Sequence, residues 1–402
     1  MYKYLPFLLP AIIFTACSTS EDPSPSHDYG EDVIQFGTPQ IKIASHGSRA
    51  ALMNAVTPKT IFGVLGYCVP YQLGEDIPDY QGGNSEWLSK KKLSHADVMY
   101  REPLFYDGSK CVYSSDGVSF NEPKRWYTPT TAGNVETGRF LYSFIAYHPF
   151  GTLSNGGGFT VSPENGVTRS IPRLSYTMPY PGGGDIDKTI LDPDATADAM
   201  IAACMDHTAS QGAVRFEFRH ILTGLRLQIN NFNTVQEGSN ANTVTIHSLT
   251  LKGNYYRTAE IDFSPADPVM TVGDQTYSGT FIFIDRDENF APQTARVVGA
   301  TADNEQGTVI LLLPKPDAKA GSSTSAIPYL GTNKTITVEY SYGGDGKRVT
   351  KKIENFTLGR IPEQGTCYTI NLNFIGNQLL LMFTADAIEY WEAGSDNDII
   401  IN

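Results

Sequence analysis

Cys17 stands where a thiol can be acylated. Residues 1–4 carry one cation, Lys3, and residues 5–14 form an apolar run interrupted by Pro6 and Pro10. Thr15, Ala16 and Cys17 follow. A short basic start, an apolar run too short to span a bilayer as a helix, and small residues before a cut describe a signal peptide over residues 1–16. Phe14-Thr15-Ala16-Cys17 reads as a bacterial lipobox with Phe in place of the usual Leu. The expectation is cleavage before Cys17 and palmitate-type acylation of its thiol. Each acyl CH₂ entering a bilayer contributes roughly 0.8 kcal/mol, so two or three chains anchor a protein firmly.

Other chemistry is sparse. G-x-S-x-G, H-E-x-x-H, P-loop and dinucleotide-binding patterns are missing from the sequence. The seven histidines, at 27, 46, 95, 148, 207, 220 and 247, hold no ligand spacing to one another. His220, between Arg219 and Ile221, reads as a structural histidine. Asp192-x-Asp194-x-Thr196-x-Asp198 imitates the start of a calcium loop, but Ala197 and Ala203 occupy the positions that need Gly and Glu. Asp285-x-Asp287-x-Asn289 departs from the pattern in the same way and reads as a loop. Beyond Cys17, cysteines 68, 111, 204 and 367 form no C-x-x-C and read as buried small apolar residues, without structural dependence on disulfides. The expectation is a non-enzymatic chain with no catalytic residue, metal or cofactor.

The chain has 402 residues and a formal charge of −13, which argues against a nucleic-acid partner. Its 37 glycines, 24 prolines, 22 tyrosines and 20 phenylalanines suggest strands joined by many turns. Residues 17–32 hold Ser18-Thr19-Ser20-Glu21-Asp22-Pro23 and read as a flexible tether. Glu21 and Asp22 just beyond Cys17 resemble the acidic export signal of surface lipoproteins in Bacteroidetes-type bacteria.

Period-two alternation dominates thereafter. Ile336, Val338, Tyr340 and Tyr342 share a face, a Gly-rich turn follows, and residues 347–353 return as a hairpin. Tyr368, Ile370, Leu372 and Phe374 alternate with Thr369, Asn371 and Asn373 in the same way, which reads as an apolar face and a solvated polar face. Residues 309–313 form a continuous apolar run that fits a central strand buried on both faces. Strand-like runs also cover 61–69, 140–147, 244–251, 277–284 and 379–383. Val214, Phe216 and Phe218 share one parity, while Leu225, Leu227 and Ile229 take the other, so an irregularity belongs at 221–224. Residues 194–204, rich in Ala, are the one short helix expected. These runs predict an all-β chain of sandwiches, with a boundary near residue 211 between segments 33–211 and 212–402.

Four stretches together resemble the fimbrillin family, the Mfa-like major and minor fimbrium subunits of Bacteroidetes-type bacteria. They are Ser48-Arg49-Ala50-Ala51 with Ile61-Phe62-Gly63-Val64-Leu65-Gly66-Tyr67; Leu141-Tyr142-Ser143-Phe144-Ile145-Ala146-Tyr147-His148-Pro149; Val214 through Leu225; and Cys367-Tyr368-Thr369-Ile370-Asn371-Leu372 with Trp391. The resemblance implies two transthyretin-like β-sandwich domains in tandem and a structural or adhesive subunit as pilin, tip or anchor. It implies a cell-surface lipoprotein of the outer membrane, held by lipid on Cys17, whose partners are other fimbrial subunits and host or bacterial surface ligands.

The family mechanism implies proteolysis after Arg49, giving a new amino terminus at Ala50. Residues 33–44, with Ile34, Phe36, Ile41 and Ile43, would then leave. A strand of another subunit would fill the vacated groove by β-strand addition. Residues 379–402 are the candidate donor, and their other reading is the last strands of their own domain. The resemblance leaves open that tip and anchor members keep the first strand in place. The runner-up function is a surface glycan-binding lipoprotein of a nutrient-uptake system, with exposed aromatics as its platform.

Overall fold

The structure is a computed structural model, and it describes residues 32–42, 55–71, 98–126, 139–162, 173–235, 242–263, 267–302, 304, 307–315, 330–343, 347–354, 362–376, 378–384 and 399–401. These residues form strands and a few short 3-10 turns, with no helix of seven residues or more. The first ten strands are β1 (Gln40–Ile41), β2 (Ile61–Tyr71), β3 (Met99–Tyr106), β4 (Cys111–Tyr113), β5 (Arg139–His148), β6 (Gly158–Ser162), β7 (Arg173–Thr177), β8 (Ile190–Leu191), β9 (Met200–His207) and β10 (Glu217–His220). Seven more follow: β11 (Thr223–Asn231), β12 (Val244–Tyr256), β13 (Thr258–Asp262), β14 (Val269–Val272), β15 (Thr276–Ile284), β16 (Glu288–Phe290) and β17 (Thr294–Val297). The last six are β18 (Val309–Leu312), β19 (Gly331–Tyr342), β20 (Val349–Glu354), β21 (Cys367–Ile375), β22 (Gln378–Thr384) and β23 (Ile399–Ile401).

A seven-stranded sheet runs β1-β10-β9-β5-β2-β3-β4. Its central strands β2 and β5 are apolar on both faces, and both faces are buried. Phe62, Val64, Phe144, Ala146, Met200 and Ala202 face one core with Val33, Ile34, Phe36, Tyr113 and Phe216. Leu65, Tyr67, Ile145, Tyr147 and Ile201 face a larger core that continues into the rest of the chain. Gly63 is required by this packing, because a Cβ there would lie 2.3 Å from the ring of Tyr147, its cross-strand partner.

Three further sheets surround the larger core. One runs β17-β11-β21-β22-β23 with β18 also on β11, one runs β20-β19-β12-β15-β8 with β16 on β12, and one runs β14-β13-β7-β6. In the third, β7 pairs antiparallel with β13, so segments before and after residue 211 share one sheet. Residue 211 itself ends the short turn Ala209–Gln211 between β9 and β10, which are neighbours in the first sheet. The chain crosses from the first sheet to the second at Ile221 and Leu222, both fully buried, where the apolar parity switches.

Three sequence expectations need correction. Residues 200–204 of the expected helix lie in β9, which pairs with β5 and β10, and only Pro193–Ala195 makes a 3-10 turn. Alanine propensity is a weak prior, and here the small side chains let β9 be covered on both faces between bulky neighbours. The expected central strand at 309–313 is β18, which among the described residues pairs with β11 alone. Its apolar side chains are buried by packing rather than by a second strand. The face of β21 expected to be solvated is also closed: Thr369, Asn371 and Asn373 are buried. Parallel pairing with β11 sets Asn230 beside them, and its Nδ2 donates to Asn371 Oδ1 at 3.1 Å and Asn373 Oδ1 at 2.7 Å.

Candidate functional site

Residues 32–42 close the first sheet on itself. Phe36 bridges Cys111 of β4 antiparallel and Val214, just before β10, in parallel. These are the two opposite edges of the sheet, so one segment seals both. β1 continues the parallel pairing through Gln40 with Glu217 and Ile41 with Phe218. Toward β10, the Gly37, Gln40 and Lys42 amides donate to the carbonyls of Val214, Phe216 and Phe218, and the Val214 amide donates to Gln35. On the other flank the Cys111 amide donates to Phe36, the Ile34 amide to Lys124, and the Trp126 amide to Asp32. Closure of this kind removes exposed strand edges.

The segment buries its apolar side chains, with the buried parity changing between Phe36 and Ile41. Val33, Ile34, Phe36 and Ile41 are all buried. The Phe36 ring centroid lies 5.6 Å from Phe216, 5.7 Å from Phe144 and 6.1 Å from Tyr113. Phe62 extends the cluster, 5.9 Å from Phe216 and 5.3 Å from Phe218. The buried Tyr113 hydroxyl donates to the Ile34 carbonyl at 2.7 Å. Cys111 lies against the segment with its Sγ 3.5 Å from the Gly37 carbonyl, and burial pushes its thiol pKa far up. At the surface Arg125 pairs with Asp32, and Thr38 Oγ1 donates to the Ser109 carbonyl at 2.6 Å. Each fully buried aliphatic or aromatic side chain contributes about 1.5–3 kcal/mol.

The sequence-derived positions fall as follows. Cys17, Arg49, Ala50, Ile43 and Trp391 lie outside the described residues. His220 Nδ1–H donates to Asp198 Oδ1 at 2.8 Å, with both side chains buried, and ties the end of β10 to the start of β9. Asp192 Oδ1 accepts from the Asp194 amide at 3.0 Å and caps the 3-10 turn. Cys68, Cys111, Cys204 and Cys367 are free thiols, and all but Cys204 are buried. The candidate donor is paired within its own sheet, β22 along β21 and β23 along β22. Tyr71 aside, no tyrosine or tryptophan among the described residues is exposed. Sequence reasoning missed the second flank of the groove, formed by Cys111, Tyr113 and residues 124–126. Its one signal was the apolar triplet Cys111-Val112-Tyr113, too short to show a period.

These features define an all-β protein in which one segment bridges both edges of a sheet. A family model described as fimbrillin-like matches residues 136–391, and the chain belongs to that family. The family is a structural, non-enzymatic class of the cell surface whose members assemble with other fimbrial subunits. No curated protein matches the chain. Among solved structures, it is similar to a proposed cell adhesion protein of Bacteroides ovatus at 14% identity and a TM-score of 0.43, over 90% of this chain and 99% of that one. A proposed cell adhesion protein of Bacteroides uniformis matches at 10% identity and 0.43, with the same coverages. One of Parabacteroides distasonis matches at 7% and 0.37, over 92% of this chain and 96% of that one.

Proposed function

We propose that the chain is a fimbrial subunit exported as a lipoprotein through Cys17 and assembled by strand exchange after a cut at Arg49. The observation that carries this reading is the double bridge of Phe36 to Cys111 and Val214. A segment that alone seals two sheet edges over an aromatic core leaves, on departure, a groove of matching length and chemistry. While attached, the segment pairs intramolecularly at high effective concentration, which keeps the precursor from exchanging strands. A cut turns it into a separate peptide that a donor can displace. The donor is residues 379–402, where β22 and β23 form the outer hairpin of their sheet and can leave without breaking any strand order behind them. The division into two sandwich domains, 33–211 and 212–402, belongs to the same reading.

Limited trypsin treatment of the purified protein tests it. The expected result is conversion of monomer into oligomers with a new amino terminus at Ala50. Arg49→Ala should block conversion and leave folding intact, as exposed loop substitutions change stability by about 0.5 kcal/mol at most. Cut protein that keeps its fold and stays monomeric at high concentration removes the polymerising role. Loss of acylation in Cys17→Ala tests the anchor separately.

A further inference from the structure

The sheet β20-β19-β12-β15-β8 carries opposite charge on its two edges. At one edge, β20 and the two residues before it present Lys347, Arg348, Lys351 and Lys352, all exposed. Glu354 and the Arg348 partner Glu339 are the acids beside them. This concentration of cations stands out in a chain of net charge −13. At the other edge, the segment holding β8 runs along β15 and presents Asp185, Asp187, Asp192 and Asp194, also exposed. Lys188 pairs with Asp185 and Lys252 with Asp187, so the edge keeps an excess of carboxylates. Each edge also exposes one β-branched side chain: Val349, 38% exposed, on the basic edge and Ile190, 62% exposed, on the acidic edge.

Lysines on an edge strand ordinarily discourage pairing with a neutral edge. Here the surface that would relieve their charge lies on the far edge of the same sheet, in every other copy of the chain. We propose that copies associate edge to edge, the basic β20 of one seated on the acidic edge around β8 of the next. Val349 and Ile190 cover each other at the centre, and the charges set the register. The two surfaces differ, so the contact is heterologous and repeats from copy to copy. Among the described residues no strand pairs with the outer side of β20 or β8, so neither edge is occupied within the chain. The contact needs neither the cut at Arg49 nor the release of residues 33–44, and it stands or falls apart from strand exchange.

Sedimentation of the uncut full-length protein at low and high salt tests it. Association is expected at low ionic strength and monomer at high, because exposed charges are screened. Lys351→Glu with Lys352→Glu should weaken association by at least about tenfold, since like charges then face each other across the contact. Asp185→Lys with Asp187→Lys should do the same. Mixing the two charge-reversed proteins should restore association, each supplying the edge that complements the other. A mixture that stays monomeric overturns the proposal, as does wild-type association indifferent to salt or to either reversal. Salt-sensitive binding of the wild type to phosphatidylglycerol vesicles without self-association would assign β20 to a lipid surface instead and would equally overturn it.

Discussion

Phe36 stacks on Phe216 with centroids 5.6 Å apart and planes inclined by 16°. The pair joins the closing segment to the residues leading into β10, the strand it hydrogen-bonds in parallel. Phe36→Ala removes the largest apolar side chain of the segment from a core it shares with Phe144 and Tyr113. Such truncations cost about 3–5 kcal/mol. Urea unfolding should show this loss in the uncut chain. If strand exchange operates, the same variant should assemble faster after trypsin, because the segment is held less tightly. An unchanged urea midpoint would show that Phe36 contributes little to holding the segment.

Asp198 and His220 form a second fastening, between β9 and β10 beneath the crossing to β11. Their side chains are 7% and 3% exposed, so the bond sits away from water. Asp198→Ala strips the imidazole of that acceptor, and removing one partner of a buried hydrogen bond costs about 1–3 kcal/mol. The loss should appear in thermal unfolding, and hydrogen exchange should quicken at the amides of β10 first. Uniform quickening across all sheets would instead argue that the pair serves global stability only.

The parity switch between Phe218 and Leu225 was legible because the period of a strand is two, and a chain that changes sheets must change parity or bulge. The buried face of β19 was legible for the same reason, and β2, β5, β12 and β15 were legible as continuous apolar runs. β9 was not: Ala202 and Ala203 carry a helical preference that strand partners on both sides override. The polar face of β21 was not legible either, because Thr369 and Asn373 look solvated until a parallel neighbour supplies Arg226, whose Nε donates to Thr369 Oγ1 at 2.9 Å, and Asn230. At the candidate site, Ile34, Phe36 and Ile41 were readable as the apolar residues of an otherwise polar segment. The flank at Cys111 and Trp126 was not, since it meets Phe36 and Asp32 only through long-range pairing.

Lys334 in β19 is buried, and its Nζ donates to the Gly331 carbonyl at 2.7 Å. Burial lowers its pKa from 10.5 to about 8. The folded state therefore releases this proton more readily than the unfolded chain. Between about pH 8 and 10.5 the unfolded chain binds more protons, so this residue's contribution to stability rises with pH across that window. Below pH 8 the buried charge imposes its full cost. Lys334→Met should stabilise the protein at pH 7 by up to about 3 kcal/mol, at about 1.4 kcal/mol per pKa unit. The advantage over wild type should shrink as pH rises through the window. Denaturant unfolding at several pH values measures this, and an advantage that stays constant to pH 10.5 would rule out the titration of Lys334 as its source.

Cys111 reports directly on whether the closing segment leaves. Its thiol is buried against the Gly37 carbonyl, and its amide donates to Phe36, so the segment lies between the sulfur and solvent on that side. Burial also raises its pKa, which withholds the thiolate that reacts with alkylating reagents. In the uncut chain Cys111 should label slowly, while Cys204, the one thiol of intermediate exposure, sets the native baseline. After trypsin the departure of residues 33–44 exposes the sulfur to water. Two effects then act together: access increases and the thiol pKa falls toward its ordinary value. Labelling of Cys111 should rise by at least about tenfold, as a fall of one unit alone gives that factor in thiolate. Cys367, buried in the other core, should stay protected, which separates segment loss from general unfolding. Addition of a peptide of residues 33–44 in excess should restore protection by refilling the groove. Cut protein in which Cys111 remains as slow as in the precursor would mean that the segment stays bound after cleavage, and strand exchange would then require active displacement by a donor.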